Sequence, residues 1–344
     1  SSPAPSAAPS SSSRASTDTP TDTSPERHPR AIAGTIARVR DEAHEVARAF
    51  GLGPVHDLVR VAGGLSNDMW RVTTDRGGFA VKVMRVNADS PDFESNVEAA
   101  FLIERAAFEK GVPCPEPVPM QDGRCLARVH GKWVRVHQWV DGTTPAPGQR
   151  SEDAGALLAA IHAEAPSIVA ALGDEPWDAE GWESLADQEG LPAGLAESLR
   201  EAAPALARLE RDTSDSERLD VHVVSHGDLD PKNTLVVDGI LVAVDWDAAG
   251  SVSRVREAIS VALDWTNSPQ GFRSVINAYT EASGVELPAE PWVFGGWVSS
   301  LGGWLVYNAT HCADTDQGRH EIAQTMQRLT SLNTSLSGYV SAMA

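Results

Sequence analysis

The segment HVVSHGDLDPKNTLVV, residues 222–237, places two apolar, β-branched runs around a polar break formed by His226, Gly227, Asp228, Asp230, Lys232 and Asn233. Val, Leu and Thr runs favour strands, and Gly, Asp, Pro and Asn favour the turn that joins them. A second run, ILVAVDW, follows after Asp238 and Gly239, so the region predicts short strands carrying a dense polar loop. A plain turn would account for that composition taken alone. Residues elsewhere in the chain give the loop a chemical reading.

The rest of the chain falls into two parts. VHDLVRV, MWRVTT and GFAVKVMRV are short strand signals bounded by glycine turns, with a hairpin connection at Asp75–Gly78. FESNVEAAFLIERAAFEKG then reads as a helix stopped by Gly111, and CLARVHGKWVRVHQWV as a further hairpin. A leading helix is expected from Ala31, because Ile32, Ile36, Val39, Ala43, Val46 and Phe50 recur at threes and fours. After Asp141 and Gly142 helical spacing dominates: SEDAGALLAAIHAEA, then stretches near 191–209, 254–265, 271–283, 292–309 and 318–338. Residues 1–30, rich in Ser, Pro, Ala and Thr, are expected to be a disordered tail, since they offer almost no large apolar side chain to bury. The boundaries drawn are 1–30, 31–140 for a β-rich part with its leading helix, and 141–344 for a helical part.

The polar loop matches H-G-D-L-x-x-x-N, close to the protein-kinase pattern H-R-D-L-x-x-x-N, in which the Asp takes the proton of the substrate hydroxyl and the Asn holds magnesium. Asp245, twelve residues beyond Asn233 and at the end of the strand ILVAV, stands where kinases place a metal-binding Asp. Asn233 and Asp245 supply the hard oxygen ligands that Mg2+ prefers. Lys82 lies mid-strand among apolar residues, where an unpaired ammonium would be costly, so it needs partners: nucleotide phosphates and a helix carboxylate. The following helix offers Glu94, Glu98 and Glu104; Glu98 is favoured and Glu94 stays open. Gly63, Gly64 and Ser66, in VAGGLSNDMW, form a turn whose backbone amides could cover phosphates. A Walker phosphate loop is absent.

Taken in order, GGLSN, AVKV, the Glu-bearing helix with GVPCPEPV, WVDG, LLAAIHAEA, SHGDLDPKN and VDWDAAG resemble the aminoglycoside phosphotransferase and choline kinase-like family, from about Val59 to Trp265. The resemblance implies an α+β, bilobal, protein kinase-like fold with a small β-rich N-terminal lobe and a larger, mainly helical C-terminal lobe. It implies transfer of the terminal phosphate of ATP or GTP to a hydroxyl, with Mg2+ as cofactor. Asp228 would be the base, Asn233 and Asp245 the metal ligands, and Lys82 with Glu98 the phosphate-positioning pair. Gln138 to Val140 would be the hinge that meets the adenine through its backbone. Asp264 and Trp265 are candidates for the acceptor pocket. The family often shows HGDLHPGN; here Asp230 and Lys232 replace the second His and the Gly. Lys232 could reach the transferred phosphate or face water.

A net charge of −20 works against nucleic-acid or anionic-membrane binding and would suit a cationic small molecule. The resemblance implies an amine-bearing or sugar-like acceptor, an aminoglycoside-type antibiotic included, with antibiotic resistance as one role. Cys114, Cys125 and Cys312 are scattered and read as small buried thiols. No long apolar segment or secretory signal stands out, so a cytoplasmic location is expected. His162 reads as a hydrogen-bonded core histidine, His226 as a brace for the loop, and Trp292, Trp297 and Trp304 mainly as core. The rival reading is a nucleotide-binding pseudokinase or regulatory module, which the joint presence of Lys82, Asp228, Asn233 and Asp245 argues against. Oligomeric state is left open.

Overall fold

The computed structural model describes residues 40–61, 67–85, 88–146, 148–163 and 165–344. The tail expected over 1–30, the first part of the leading helix, and Gly63, Gly64 and Ser66 lie outside the described residues. The chain divides into two compact units. One runs to Glu109 and resumes over Cys114–Gly142; the other takes Lys110–Pro113 and Thr143–Ala344.

The first unit is built on an antiparallel sheet. Its strands are β1 (Val55–Val61), β2 (Asp68–Thr74), β3 (Gly77–Val83), β4 (Pro117–Val118), β5 (Ala127–Val129) and β6 (Lys132–Gln138). They lie in the order β1-β2-β3-β6-β4, with β5 also paired to β6. Period-two alternation sends Val72, Val81, Val134 and Val136 to one face, where Val46 of helix α1 (40–49) and Phe50, just after it, pack on them. Lys82 and Arg135 are register partners and, by the same alternation, share the opposite face. Helix α2 (Phe93–Glu109) buries Phe93, Val97 and Phe101 against Met84, Cys125 and Leu126. Burial pushes the thiols of Cys114 and Cys125 up to about 12, so both are neutral at physiological pH.

The second unit surrounds two small sheets with helices. Strands β7 (Ser167–Ala171), β8 (Leu219–Ser225) and β11 (Gly250–Ser253) form one sheet in the order β11-β8-β7; β9 (Thr234–Val237) and β10 (Ile240–Ala243) form a hairpin. The helices are α3 (Ser151–Ala163), α4 (Ala179–Ser184), α5 (Ala193–Thr213), α6 (Arg254–Trp265), α7 (Pro269–Ser283), α8 (Gly295–His311) and α9 (Asp316–Met343). Helical spacing anticipates all of these except α4, a six-residue helix capped by Asp178, which accepts from the Gly181 amide. The strands β7 and β11 were not expected either. SIVAA and GSVS carry no alternating pattern, and each forms because β8 supplies hydrogen-bonding partners. No helix among the described residues is long and apolar enough to cross a membrane.

Helices α3 and α7 approach closely at Gly155, where a Cβ would lie 2.4 Å from the Val275 carbonyl oxygen. Backbone cannot retreat as a side-chain tip can, so the crossing admits only glycine. Gly155→Ala should destabilise the second unit by on the order of 1–3 kcal/mol, the range for overpacking. Thermal denaturation checks this; an unchanged melting temperature would contradict so close a crossing.

Candidate active site

The loop between β8 and β9 is held from three sides. His226 is fully enclosed and packs against Trp246 in a tilted arrangement, 4.7 Å between ring centroids. Its Nε2–H donates to the Val244 carbonyl (3.0 Å) and its Nδ1 accepts from the Asp228 amide (3.3 Å), which fixes the tautomer. Gly227 has φ +78°, and a Cβ there would meet the Ala248 carbonyl oxygen at 2.4 Å. That contact explains glycine where protein kinases carry arginine. The Gly227 amide donates to Glu257 Oε1 at 2.8 Å.

These contacts aim Asp228. Its Oδ2 accepts from Asn233 Nδ2 at 2.8 Å, and the same amide nitrogen reaches the Asp228 carbonyl at 2.9 Å. The Asn233 side chain is thereby oriented with its nitrogen on Asp228. The Asn233 carbonyl accepts from the Val244 amide at 2.9 Å, so Asn233 is bonded to the residue immediately before Asp245. Asp245 is exposed and left-handed (φ 63°, ψ 60°), at the start of the turn Trp246–Ala248. Among the described residues no group of three or more His, Cys, Asp or Glu could enclose a metal. The amide oxygen of Asn233 and the carboxylate of Asp245, the residue after Val244, do suit Mg2+, which binds through one or two carboxylates and keeps positions for water and phosphate.

Charge is concentrated around Asp228. Burial pushes its carboxyl up to about 6, against the pull of Lys232 and with the help of Asp230, Asp264 and Asp245. Lys232 Nζ lies 3.2 Å from Asp230 Oδ2 and 3.7 Å from Asp228 Oδ2. Burial works to lower the pKa of Lys232, but Asp228 and Asp230 outweigh it and hold the ammonium above its ordinary value. Lys232 is therefore a half-enclosed, paired cation. Asp230 also caps the turn Pro231–Asn233 by accepting from the Lys232 amide, so each replacement stabilises the other.

Trp265 differs from expectation. Its ring is enclosed and its Nε1–H donates to the Leu229 carbonyl at 2.8 Å, so it braces the loop from behind and offers no surface to an acceptor. Asp264 is partly exposed and accepts from Trp297 Nε1 and Arg328 Nη2. The residue sequence reasoning missed is Glu257. Its Oε2 meets His162 Nε2 at 2.7 Å, and His162 Nδ1 meets the Tyr279 hydroxyl at 3.0 Å. Glu257, Val261 and Trp265 are all buried at i, i+4, i+8 on α6. A carboxylate on an apolar stripe was the available signal.

In the first unit Lys82 is buried beside Arg135. Glu104, equally buried, accepts from Arg135 Nη2 at 2.6 Å and meets His137 at 3.1 Å. Glu98, the glutamate expected beside Lys82, accepts from the Cys125 and Leu126 amides at 3.1 Å and lies 3.6 Å from Arg124. Glu94 pairs with Arg124. In the expected hinge the Gln138 amide donates to Glu116 and the Trp139 amide to Gly78; the Val140 amide has no backbone bond of this kind among the described residues.

A sequence profile of the phosphotransferase enzyme family (APH) matches residues 57–292. The chain belongs to that family. Among curated relatives, the chain is 27% identical over 201 residues to the homoserine kinase of Methylobacillus flagellatus, covering 57% of this chain and 59% of the relative. It is 28% identical over 203 residues to that of Sinorhizobium medicae, covering 56% and 58%. The chain thus spans less than two thirds of the length of these relatives. Among solved structures it resembles choline kinase LicA from Streptococcus pneumoniae (TM-score 0.56, 13% identity, 86% of this chain and 99% of that one). It also resembles a microcompartment-associated aminopropanol kinase (TM-score 0.55, 20% identity, 86% and 98%). The α+β fold of the chain is accordingly the protein kinase-like one.

The electrostatics are checked by titration. In the metal-free protein the Asp228 carboxyl should titrate near 6 by carboxyl-carbon NMR. Lys232→Met removes the opposing positive charge and should move that midpoint upward. A midpoint that stays in place would show that Lys232 does not act on Asp228.

Proposed function

We propose that this phosphotransferase moves the terminal phosphoryl group of ATP or GTP to the hydroxyl of a small acceptor. The observation that carries the reading is Asp228, held by Asn233 while Asn233 is bonded to the neighbour of Asp245. The acceptor oxygen forms the new bond to the terminal phosphorus as the bond to the bridging oxygen breaks and the nucleoside diphosphate leaves. Asp228 takes the hydroxyl proton. Asn233 and Asp245 would hold Mg2+, which when bound neutralises charge on the phosphate oxygens. No covalent enzyme intermediate is required.

Lys82 would hold nucleotide phosphates. Glu104 is the carboxylate better placed to assist it, because Glu104 is bonded to Arg135 and Arg135 shares a sheet face with Lys82. The Val140 amide is the hinge donor best suited to a purine, and the amides of Gly63, Gly64 and Ser66 would cover the phosphates. Lys232 stands close enough to Asp228 to steady charge on the transferring group. The named relatives and neighbours act on homoserine, choline and aminopropanol, all small hydroxyl compounds that bear a cationic nitrogen. An acceptor of that kind suits the acidic surroundings formed by Asp230 and Asp264, and a cytoplasmic setting would supply the nucleotide.

A panel of amino alcohols, hydroxy-amino acids, sugars and aminoglycosides, scored by mass spectrometry for an added phosphate, tests the reading. At least one acceptor should be phosphorylated, and Asp228→Ala should slow transfer by about 10²–10⁴-fold. Asp245→Asn should raise the Mg2+ concentration needed for half-maximal rate while leaving the melting temperature near that of the parent. Transfer that persists at full rate in Asp228→Ala would remove Asp228 from the reaction.

A further inference from the structure

We propose that Asp264, Arg328 and Trp297 select an acceptor carrying both an ammonium and a carboxylate, that is, a hydroxy-amino acid. The inference rests on the phosphoryl-transfer reading above and names the acceptor class for the same loop.

Three helices bring these side chains together. Asp264 is on α6, one residue before Trp265, whose Nε1–H is bonded to Leu229, the residue after Asp228. The position of Asp264 is thus tied to the loop that carries the base, and the charge on Asp264 is felt at both Asp228 and Lys232. Trp297 of α8 donates its Nε1–H to Asp264 Oδ1 at 2.9 Å. Arg328 of α9 donates from Nη2 to the same oxygen at 2.6 Å, with its guanidinium over the Trp297 ring, 4.9 Å from the centroid.

The bonds are one-sided. Both contacts to Asp264 fall on Oδ1; Oδ2 has no bond among the described residues. Arg328 has five N–H donors and uses one of them among the described residues, while its side chain is 43% exposed. A fork–fork pair would have used both carboxylate oxygens, as Arg256 and Asp174 do elsewhere in this unit. The site therefore presents a carboxylate oxygen and a cluster of guanidinium donors side by side, with the indole holding the guanidinium plane in place.

That pairing discriminates between acceptor types. An acceptor with only an ammonium meets Asp264 and is repelled by Arg328. One with only a carboxylate meets Arg328 and is repelled by Asp264, Asp228 and Asp230. A neutral sugar has no use for the guanidinium. An amino acid with a side-chain hydroxyl satisfies Asp264 through its ammonium and Arg328 through its carboxylate, and its hydroxyl is left for Asp228.

The test compares homoserine with 3-aminopropanol, which lacks the carboxylate, and with 4-hydroxybutyrate, which lacks the ammonium. The wild-type protein should favour homoserine over each by at least about tenfold in kcat/KM, the worth of one charge-assisted hydrogen bond. Arg328→Met should lower the homoserine to 3-aminopropanol ratio by at least about tenfold, mainly through KM, and Arg328→Lys should restore part of it. A wild-type protein that phosphorylates 3-aminopropanol, choline or a sugar as well as homoserine would overturn the inference and leave the phosphoryl-transfer reading standing, as would a ratio unmoved in Arg328→Met. A protein that phosphorylates no member of the panel would overturn both.

Discussion

The contact on which the second unit depends is the acceptance of the Gly227 amide by the buried carboxylate of Glu257. Burial acts to raise the pKa of this carboxyl, yet bonds from His162, Ser225 and Gly227 outweigh that effect and keep it ionised. The second oxygen of Glu257 is bonded to His162 on α3, and His162 is bonded in turn to Tyr279 on α7. One carboxylate thus joins three helices to the loop. Removing one partner of such a buried pair typically costs roughly 3–5 kcal/mol, because the other is left enclosed and unpaired. The glycine crossing of α3 and α7 serves the same end, since it brings His162 and Tyr279 within reach of each other.

The loop geometry follows from that anchorage. Gly227 must be glycine because the backbone turns left-handed against Ala248. His226 then locks the next amide and the Val244 carbonyl, and the strand end carrying Asp245 is held to the same frame. Asp228 emerges with its carboxylate on Asn233 and with Lys232 as its counter-charge. The cluster of Asp228, Asp230, Asp245 and Asp264 would repel itself without cations. Lys232 and Arg328 supply two of them, and a metal ion on Asn233 and Asp245 would supply more.

Much of this was legible in the sequence where the signal is local. The spacing of Asp228, Asn233 and Asp245 is a property of one hairpin and the strand ends beside it, and the helices α6 and α7 announce themselves by helical spacing, to which the structure adds caps at Ser253 and Ser268. What failed was long-range. The glutamate facing Arg135 was not identifiable without the rotation of α2 against the sheet, and the sequence reading preferred Glu98. Yet Phe93, Val97, Ala100, Phe101 and Glu104 are the buried residues of α2, and Glu104 continues their stripe as Glu257 does on α6. In both helices a carboxylate on the apolar face marked a residue with a fixed partner. The short strands β7 and β11 were illegible for a different reason: β8 creates them, and their own residues do not.

Amide hydrogen exchange at Gly227, compared between the wild-type protein and Glu257→Ala, tests the central claim most directly. If Glu257 holds the loop, the Gly227 amide should exchange about 10–100-fold faster in the variant, the factor for one charge-assisted hydrogen bond. Amides in the middle of α6, such as Ile259, should change far less. Equal protection of Gly227 in the two proteins would contradict the claim that the buried carboxylate fixes the loop, and with it the account of how Asp228 is aimed.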